Sequence, residues 1–219
     1  MRNPENFRVT VFGGTGFLGR SVVHLLSLRN YQVRVAVRNP RPDLFRNLGN
    51  RVEQVYADLR EAQSVSDAIK NASGVVNVVG MYQETSGVTF DAVPVDGAQR
   101  LAETADDARL VHISGIGADP DSPSRYIRAR AIGEQRVRAA ATGAVILRPS
   151  VLFGRDDSFL RTLCGLVRGL PLIPLFGDGE TKLQPVYVED VACAIANIFD
   201  RNANCARLYE LGAPGISLS

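Results

Sequence analysis

The chain is 219 residues long, 45% hydrophobic and 22% charged, with a formal net charge of +2. That length supports one sizeable core and a small additional lobe. So slight a charge argues against nucleic acid or an anionic membrane surface as partner. From the N-terminus, an apolar run at 8–12 stops at a glycine cluster, and a helical pattern follows at 16–28. Further strands are predicted at 32–37, 52–56, 74–79, 109–113 and 144–148, with helices between them at 42–48, 64–71, 95–105 and 124–141. Runs such as Val75-Val76-Asn77-Val78-Val79 suit strands covered on both faces. Strand–helix alternation of this kind predicts an α/β fold, a doubly wound parallel sheet with right-handed crossovers.

After Pro149 the rhythm changes. Helices are predicted at 157–168 and 189–200, separated by a Pro/Gly-rich stretch over 169–179 that reads as loop with a short strand, and a last strand at 206–211. Residues 151–219 are therefore expected to form a short cap over the C-terminal edge of the sheet, not an independent domain, with 1–150 as the main domain. Cys164, Cys193 and Cys205 form no C-x-x-C pair, and with only two histidines no metal site is expected. Thiols so spaced fit a reducing compartment. The opening residues are short and polar, unlike a signal segment, and no apolar run reaches about 18 residues. A cytoplasmic protein without a transmembrane segment is expected, with peripheral docking on the inner membrane left open.

The most telling stretch is Gly13-Gly14-Thr15-Gly16-Phe17-Leu18-Gly19, set between the first strand and the first helix. The spacing G-x-G-x-x-G in that context is the opening of a Rossmann-type dinucleotide-binding unit. Glycines allow a tight turn and close approach of backbone to a pyrophosphate, while the helix N-terminus offers unpaired N–H groups. The plainer alternative is a glycine turn in some other α/β protein.

The second strand ends in Val35-Ala36-Val37-Arg38, where NAD-binding units usually place an acid for the ribose 2′-hydroxyl. A guanidinium suits the dianionic 2′-phosphate instead. Arg38 therefore predicts a preference for NADP(H), with NAD(H) also admitted. Arg41 and Arg20 are near enough to assist, and the alternative for each is a solvated surface charge. Asp58 and Leu59 follow the third strand, where Asp58 is read either as an acceptor for the adenine amino group or as a helix cap. Val79 and Gly80 follow the fourth strand, at a cofactor ribose or an ordinary turn. His24 and His112 are expected only to pack, since no acid or nucleophile lies near them in sequence.

These residues, with Val111-His112-Ile113-Ser114, Tyr126-Ile127-Arg128-Ala129-Arg130 and Leu147-Arg148-Pro149-Ser150-Val151-Leu152-Phe153-Gly154, resemble the extended and atypical short-chain dehydrogenase/reductase superfamily, of the NAD-dependent epimerase/dehydratase type. Through His112-Ile113-Ser114-Gly115-Ile116-Gly117-Ala118-Asp119, Gly133-Glu134 and the stretch from Leu183 to Ala192, the chain looks closest to the family of the Rossmann-like accessory subunit of respiratory complex I. The resemblance covers nearly the whole chain and implies that the C-terminal substrate lobe is incomplete. It implies cofactor contacts from Gly13, Gly14, Thr15, Gly16, Phe17, Leu18, Gly19, Arg38, Asp58, Leu59, Val79, Gly80, Tyr126, Arg130 and Pro149.

Active members carry a Tyr-x-x-x-Lys helix and a serine from the fifth strand. The four-residue spacing puts tyrosine and lysine on one helix face. Here the tyrosine is Tyr126, Arg130 stands at the lysine position, and Ser114 is the nearest serine, although the family's serine aligns better with Gly115. Arginine differs from lysine in bulk, donor geometry and hydration, so the swap is not neutral. The alternatives are a half-buried tyrosine, a polar strand end and a basic helix stripe with Arg125, Arg128, Arg136 and Arg138.

Two functions follow. One is an NADP(H)-binding protein with weak or no catalysis, docked to a respiratory-chain or other protein partner. The other is an active NADPH-dependent oxidoreductase or epimerase/dehydratase on a carbonyl, quinone-related or isoprenoid-type substrate, with Tyr126 as acid/base. A nucleotide-sensing regulator would share the same site.

Overall fold

The computed structural model describes residues 7–155, 157, 165, 182–200, 207–212 and 216–217. Strands β1 (Arg8–Phe12), β2 (Gln32–Val37), β3 (Val52–Tyr56), β4 (Gly74–Asn77), β5 (Arg109–Ile113) and β6 (Val145–Pro149) lie in one parallel sheet. The short strands β7 (Leu152–Phe153), β8 (Lys182–Leu183), β9 (Val186–Tyr187) and β11 (Ile216–Ser217) pair outside it, whereas β10 (Leu208–Leu211) joins it beside β6. The seven-stranded order is β10-β6-β5-β4-β1-β2-β3. The order reverses between β1 and β4, so a crevice opens beyond their C-terminal ends.

Helices cover both faces. Val9 and Val11 of β1 pack on the side of α1 (Phe17–Leu28) and α5 (Val188–Asp200), with Val22, Val23, Leu26, Val191, Ile195 and Phe199. Phe12 faces the other way, toward α2 (Ala62–Ile69), α3 (Asp96–Thr104) and α4 (Arg125–Ala140), through Val65, Leu101 and Val137. This alternation is the period-2 pattern of a strand buried on both sides. Thr10 is fully buried because its hydroxyl donates to the Ala68 carbonyl at 3.0 Å. Burying each of the larger aliphatic side chains is worth about 1.5–3 kcal/mol.

The structure departs from the sequence reading in several segments, the unpredicted short strands β7, β8, β9 and β11 among them. β4 ends at Asn77, short of 79, because the Val79 N–H leaves the sheet and donates to Asn77 Oδ1 at 3.2 Å. The segment predicted as a helix at 42–48 is a 3-10 helix over Pro42–Arg51, broken where Phe45 and Gly49 leave helical angles. Phe45, Leu44 and Leu48 turn into the core there. Residues Asp91–Val95 form a π turn before α3, around Pro94. Proline has no N–H to continue the α ladder, and the Asp96 N–H reaches back to the Asp91 carbonyl instead. The expected helix at 157–168 and loop at 169–179 lie outside the described residues, apart from Asp157 and Gly165, as do Cys164 and Cys205. Among the described residues, no helix is long and apolar enough to cross a membrane.

Candidate functional site: a dinucleotide-sized cleft

The glycine loop is wedged between β4 and α1. Gly13 has φ +79°, and a Cβ there would lie 2.9 Å from the Val78 carbonyl oxygen and the Val79 nitrogen, so only glycine meets both demands. A Cβ on Gly19 would overlap the Gly13 carbonyl oxygen, which places the first turn of α1 directly on the loop. Gly14 packs toward Val35, and Gly16 is exposed at the helix cap, donating its N–H to the Gly13 carbonyl at 3.0 Å. No side chain caps α1 and no acid lies in its first turn. Its first N–H groups and the positive end of its dipole thus fit a phosphate.

A cavity of about 460 Å³ lies above the loop. It is lined by Gly13, Thr15, Gly16, Arg38, Asp58, Leu59, Val79 and Gly80 among the expected residues, and also by Arg41. Gly14, Phe17, Leu18, Gly19 and Pro149 do not line it, nor does Arg20. Leu18 is buried in the core, and the Pro149 carbonyl, at the end of β6, accepts the Ile116 N–H at 3.2 Å. Arg38 and Arg41 are exposed, and among the described residues neither guanidinium forms an ion pair. Asp58 is 4% exposed, and its carboxylate accepts from the Arg60 Nη2 at 2.5 Å and from the Arg60 backbone N–H at 2.9 Å. These bonds hold its pKa below the ordinary carboxylate range. The helix-cap alternative for Asp58 does not hold, because α2 is capped by position 61 without a side-chain bond.

A pocket of about 60 Å³ adjoins the cavity and shares Leu59, Val79, Gly80, Met81 and Val93 with it. Tyr126 and Arg130 of α4 line it, with Asn77 and His112. The Arg130 guanidinium sits 4.5 Å from the centre of the Tyr126 ring and donates to its hydroxyl. Tyr82 and Phe90 pack on the same ring at 5.4 and 6.1 Å. Burial raises the Tyr126 pKa, against the opposing charge of Arg130. A Cβ on Gly115 would overlap Arg130 Nη1, so the guanidinium occupies the space that a side chain at 115 would need.

Ser114 is not part of this pocket. Its hydroxyl is buried without a well-formed hydrogen bond, beside the Glu134 carboxylate. Glu134 is itself 2% exposed and held by Arg148 through two bonds of 2.9 Å. Burial works against its charge, but Arg148 prevails and its pKa is lowered.

Asn77, which the sequence did not single out, and His112, which it marked only for packing, both line this pocket. Asn77 Oδ1 accepts the Val79 N–H, so its Nδ2 is the donor to His112 Nδ1 at 3.2 Å, and the imidazole proton is on Nε2. Burial lowers the His112 pKa to about 4, so the ring is neutral near pH 7. The available signal was a polar residue interrupting each of two apolar strands.

The model of the NAD dependent epimerase/dehydratase family matches residues 9–212. The chain is 37% identical over 217 residues to NADH dehydrogenase (ubiquinone) 1 alpha subcomplex subunit 9, mitochondrial, of Arabidopsis thaliana, covering 94% of this chain and 54% of that protein. It is 32% identical over 190 residues to ceramide reductase of Caulobacter vibrioides, covering 85% of this chain and 59% of that protein. The chain thus spans little more than half the length of these curated relatives. In fold it is similar to dTDP-glucose 4,6-dehydratase from Bacillus anthracis in complex with NAD, with TM-score 0.74, 19% identity and coverage of 96% of this chain and 77% of that one. With its glycine loop, its crevice at the strand-order reversal and a match across nearly its whole length, the chain belongs to the NAD dependent epimerase/dehydratase family.

Proposed function

We propose that the chain binds NADP(H) in this cleft and serves as a cofactor-holding protein with little or no turnover, docked to a protein partner. The observation that carries the reading is the pair Arg38 and Arg41 in the cavity wall, neither of them in an ion pair among the described residues, at the strand end where an acid would mark NAD. Two guanidiniums there match a ribose 2′-phosphate. Gly13, Thr15, Gly16 and the first turn of α1 take the pyrophosphate, with Gly14, Phe17, Leu18 and Gly19 supporting that turn. Asp58 and Leu59 border the adenine, Val79 and Gly80 the ribose, and Tyr126, Arg130 and Pro149 the nicotinamide end. The cofactor supplies a hydride when bound. Weak chemistry is supported by the raised pKa of Tyr126 and by Arg130, whose guanidinium is already engaged with that hydroxyl. The likeness to a mitochondrial subunit of NADH dehydrogenase supports a respiratory-chain partner and docking peripheral to an inner membrane. A fluorescence titration tests the reading: NADPH is expected to bind more tightly than NADH, and equal affinities overturn the preference.

A second reading is favoured by the small pocket beside Tyr126 and by the likeness to a ceramide reductase. In it the chain reduces a carbonyl of a quinone-related, isoprenoid-type or other apolar substrate, Tyr126 donates the proton, and Arg130 orients the reacting groups. Turnover of NADPH with a carbonyl, lost in Tyr126→Phe, would replace the first reading with this one. Arg130→Lys separates the two further. Gained reductase activity marks a scaffold whose chemistry was lost at this position, whereas activity lost from an active chain makes arginine the working residue.

A further inference from the structure

Arg38 and Arg41 stand on a turn whose sequence is Arg38-Asn39-Pro40-Arg41-Pro42. Proline has no N–H, so across residues 40–42 the backbone has a single donor, that of Arg41. Gln54 takes it. Its Oε1 accepts the Arg41 N–H at 2.7 Å, and its Nε2 donates to the Arg41 carbonyl at 2.6 Å. That carbonyl also accepts the Leu44 N–H at 3.0 Å. The other end of the turn is tied to the same strand edge, where the Ala57 N–H donates to the Val37 carbonyl at 3.0 Å. Alternation along β3 makes the contact: Val52 and Val55 pack into opposite cores, so Gln54 shares the face of Val52 and of the 3-10 segment.

We infer that Gln54 is a positioning residue that holds the Arg38–Arg41 turn for a ribose 2′-phosphate, and so sets the preference for the phosphorylated dinucleotide; this rests on the NADP(H) reading above. Gln54 does not line the cavity, so its effect passes through the backbone of Arg41. Only an amide supplies both bonds at once. A carboxylate keeps the acceptor, loses the donor and brings a negative charge toward the phosphate. Pre-ordering a charged turn removes the cost of fixing it on binding.

The test is an equilibrium titration of the unchanged chain, Gln54→Ala and Gln54→Glu with NADPH and with NADH, alongside thermal melts without ligand. Gln54→Ala is expected to weaken NADPH about five- to tenfold, the scale of one or two modest hydrogen bonds, while NADH changes less than about twofold. Gln54→Glu is expected to weaken NADPH further. Unaltered NADH binding reports that the site is still folded in both variants. NADPH affinity that does not change, or that falls in step with NADH, overturns the positioning role alone. Equal affinity of the unchanged chain for the two cofactors overturns the NADP(H) reading and this role with it.

Discussion

Arg38 follows the last residue of a buried strand and lines the cavity, with no ion pair among the described residues. Arg38→Ala is expected to lower NADPH affinity about ten- to a hundredfold, as charge-assisted bonds to a dianion are lost. NADH affinity is expected to stay within about twofold by the same titration. His112 makes a different kind of statement. Its folded pKa is lowered from 6.5 to about 4, chiefly by burial, with Arg130 acting in the same sense and Glu134 against it. As pH falls from 6.5 toward 4, the unfolded chain takes up a proton that the folded chain refuses. Stability supplied by the neutral ring is therefore whole above pH 6.5 and lost toward pH 4, by at most about 3 kcal/mol. Urea unfolding at pH 7 and pH 5 measures it, and His112→Gln should flatten this slope.

Helices and turns decide where those side chains point. The loop and α1 meet so closely that Gly19→Ala must push the Gly13 carbonyl aside. A loss of about 1–3 kcal/mol, the usual cost of overpacking, is expected in chemical denaturation, together with weaker cofactor binding. On the opposite face, α4 rests on the π turn. A Cβ at Gly133 would overlap the Pro94 carbonyl, so the widened turn and the bare helix surface fit each other. That contact seats Tyr126 and Arg130, one helical turn apart, against the pocket. Gly133→Ala is expected to lower the melting temperature and to loosen the Tyr126–Tyr82 ring contact, seen as a change in near-ultraviolet circular dichroism.

At the level of the whole molecule, the cleft is assembled from the ends of β1, β2, β3 and β4, so a ligand there braces strands far apart in sequence. A ligand that binds only the folded chain stabilises it by mass action, by about 2.7 kcal/mol at a hundred times its Kd. NADPH is expected to raise the melting temperature more than NADH at equal concentration, and Arg38→Ala should erase the difference. α5 and β10, from the C-terminal part of the described chain, complete one helical layer and one sheet edge. The described residues of α5 and β10 therefore contribute to the same core as Val9 and Val11 of β1.

Periodicity was enough to read β1 to β6 and β10, the helices α1, α3, α4 and α5 and the layered α/β class, because a strand buried on both faces must be apolar throughout; the two-residue strands β7, β8, β9 and β11 are too short to carry a period. The turn of the glycine loop and the place of Arg38 just past β2 were equally legible, since a local turn and a strand end need only neighbouring residues. Segments shaped by specific side-chain bonds or by remote contacts were not. The early end of β4 depends on an Asn77 side chain bonding two residues on, and the broken 3-10 helix on Phe45 reaching the core. The pairing of Asp58 with Arg60, of Asn77 with His112 and of Gln54 with Arg41 also escaped the sequence reading. So did the stacking of Arg130 on Tyr126 over Gly115, although the four-residue spacing had put both on one helix face. Hydrogen bonds and excluded volume between elements depend on distances that one-dimensional order does not contain, and packing sets them once the sheet has closed.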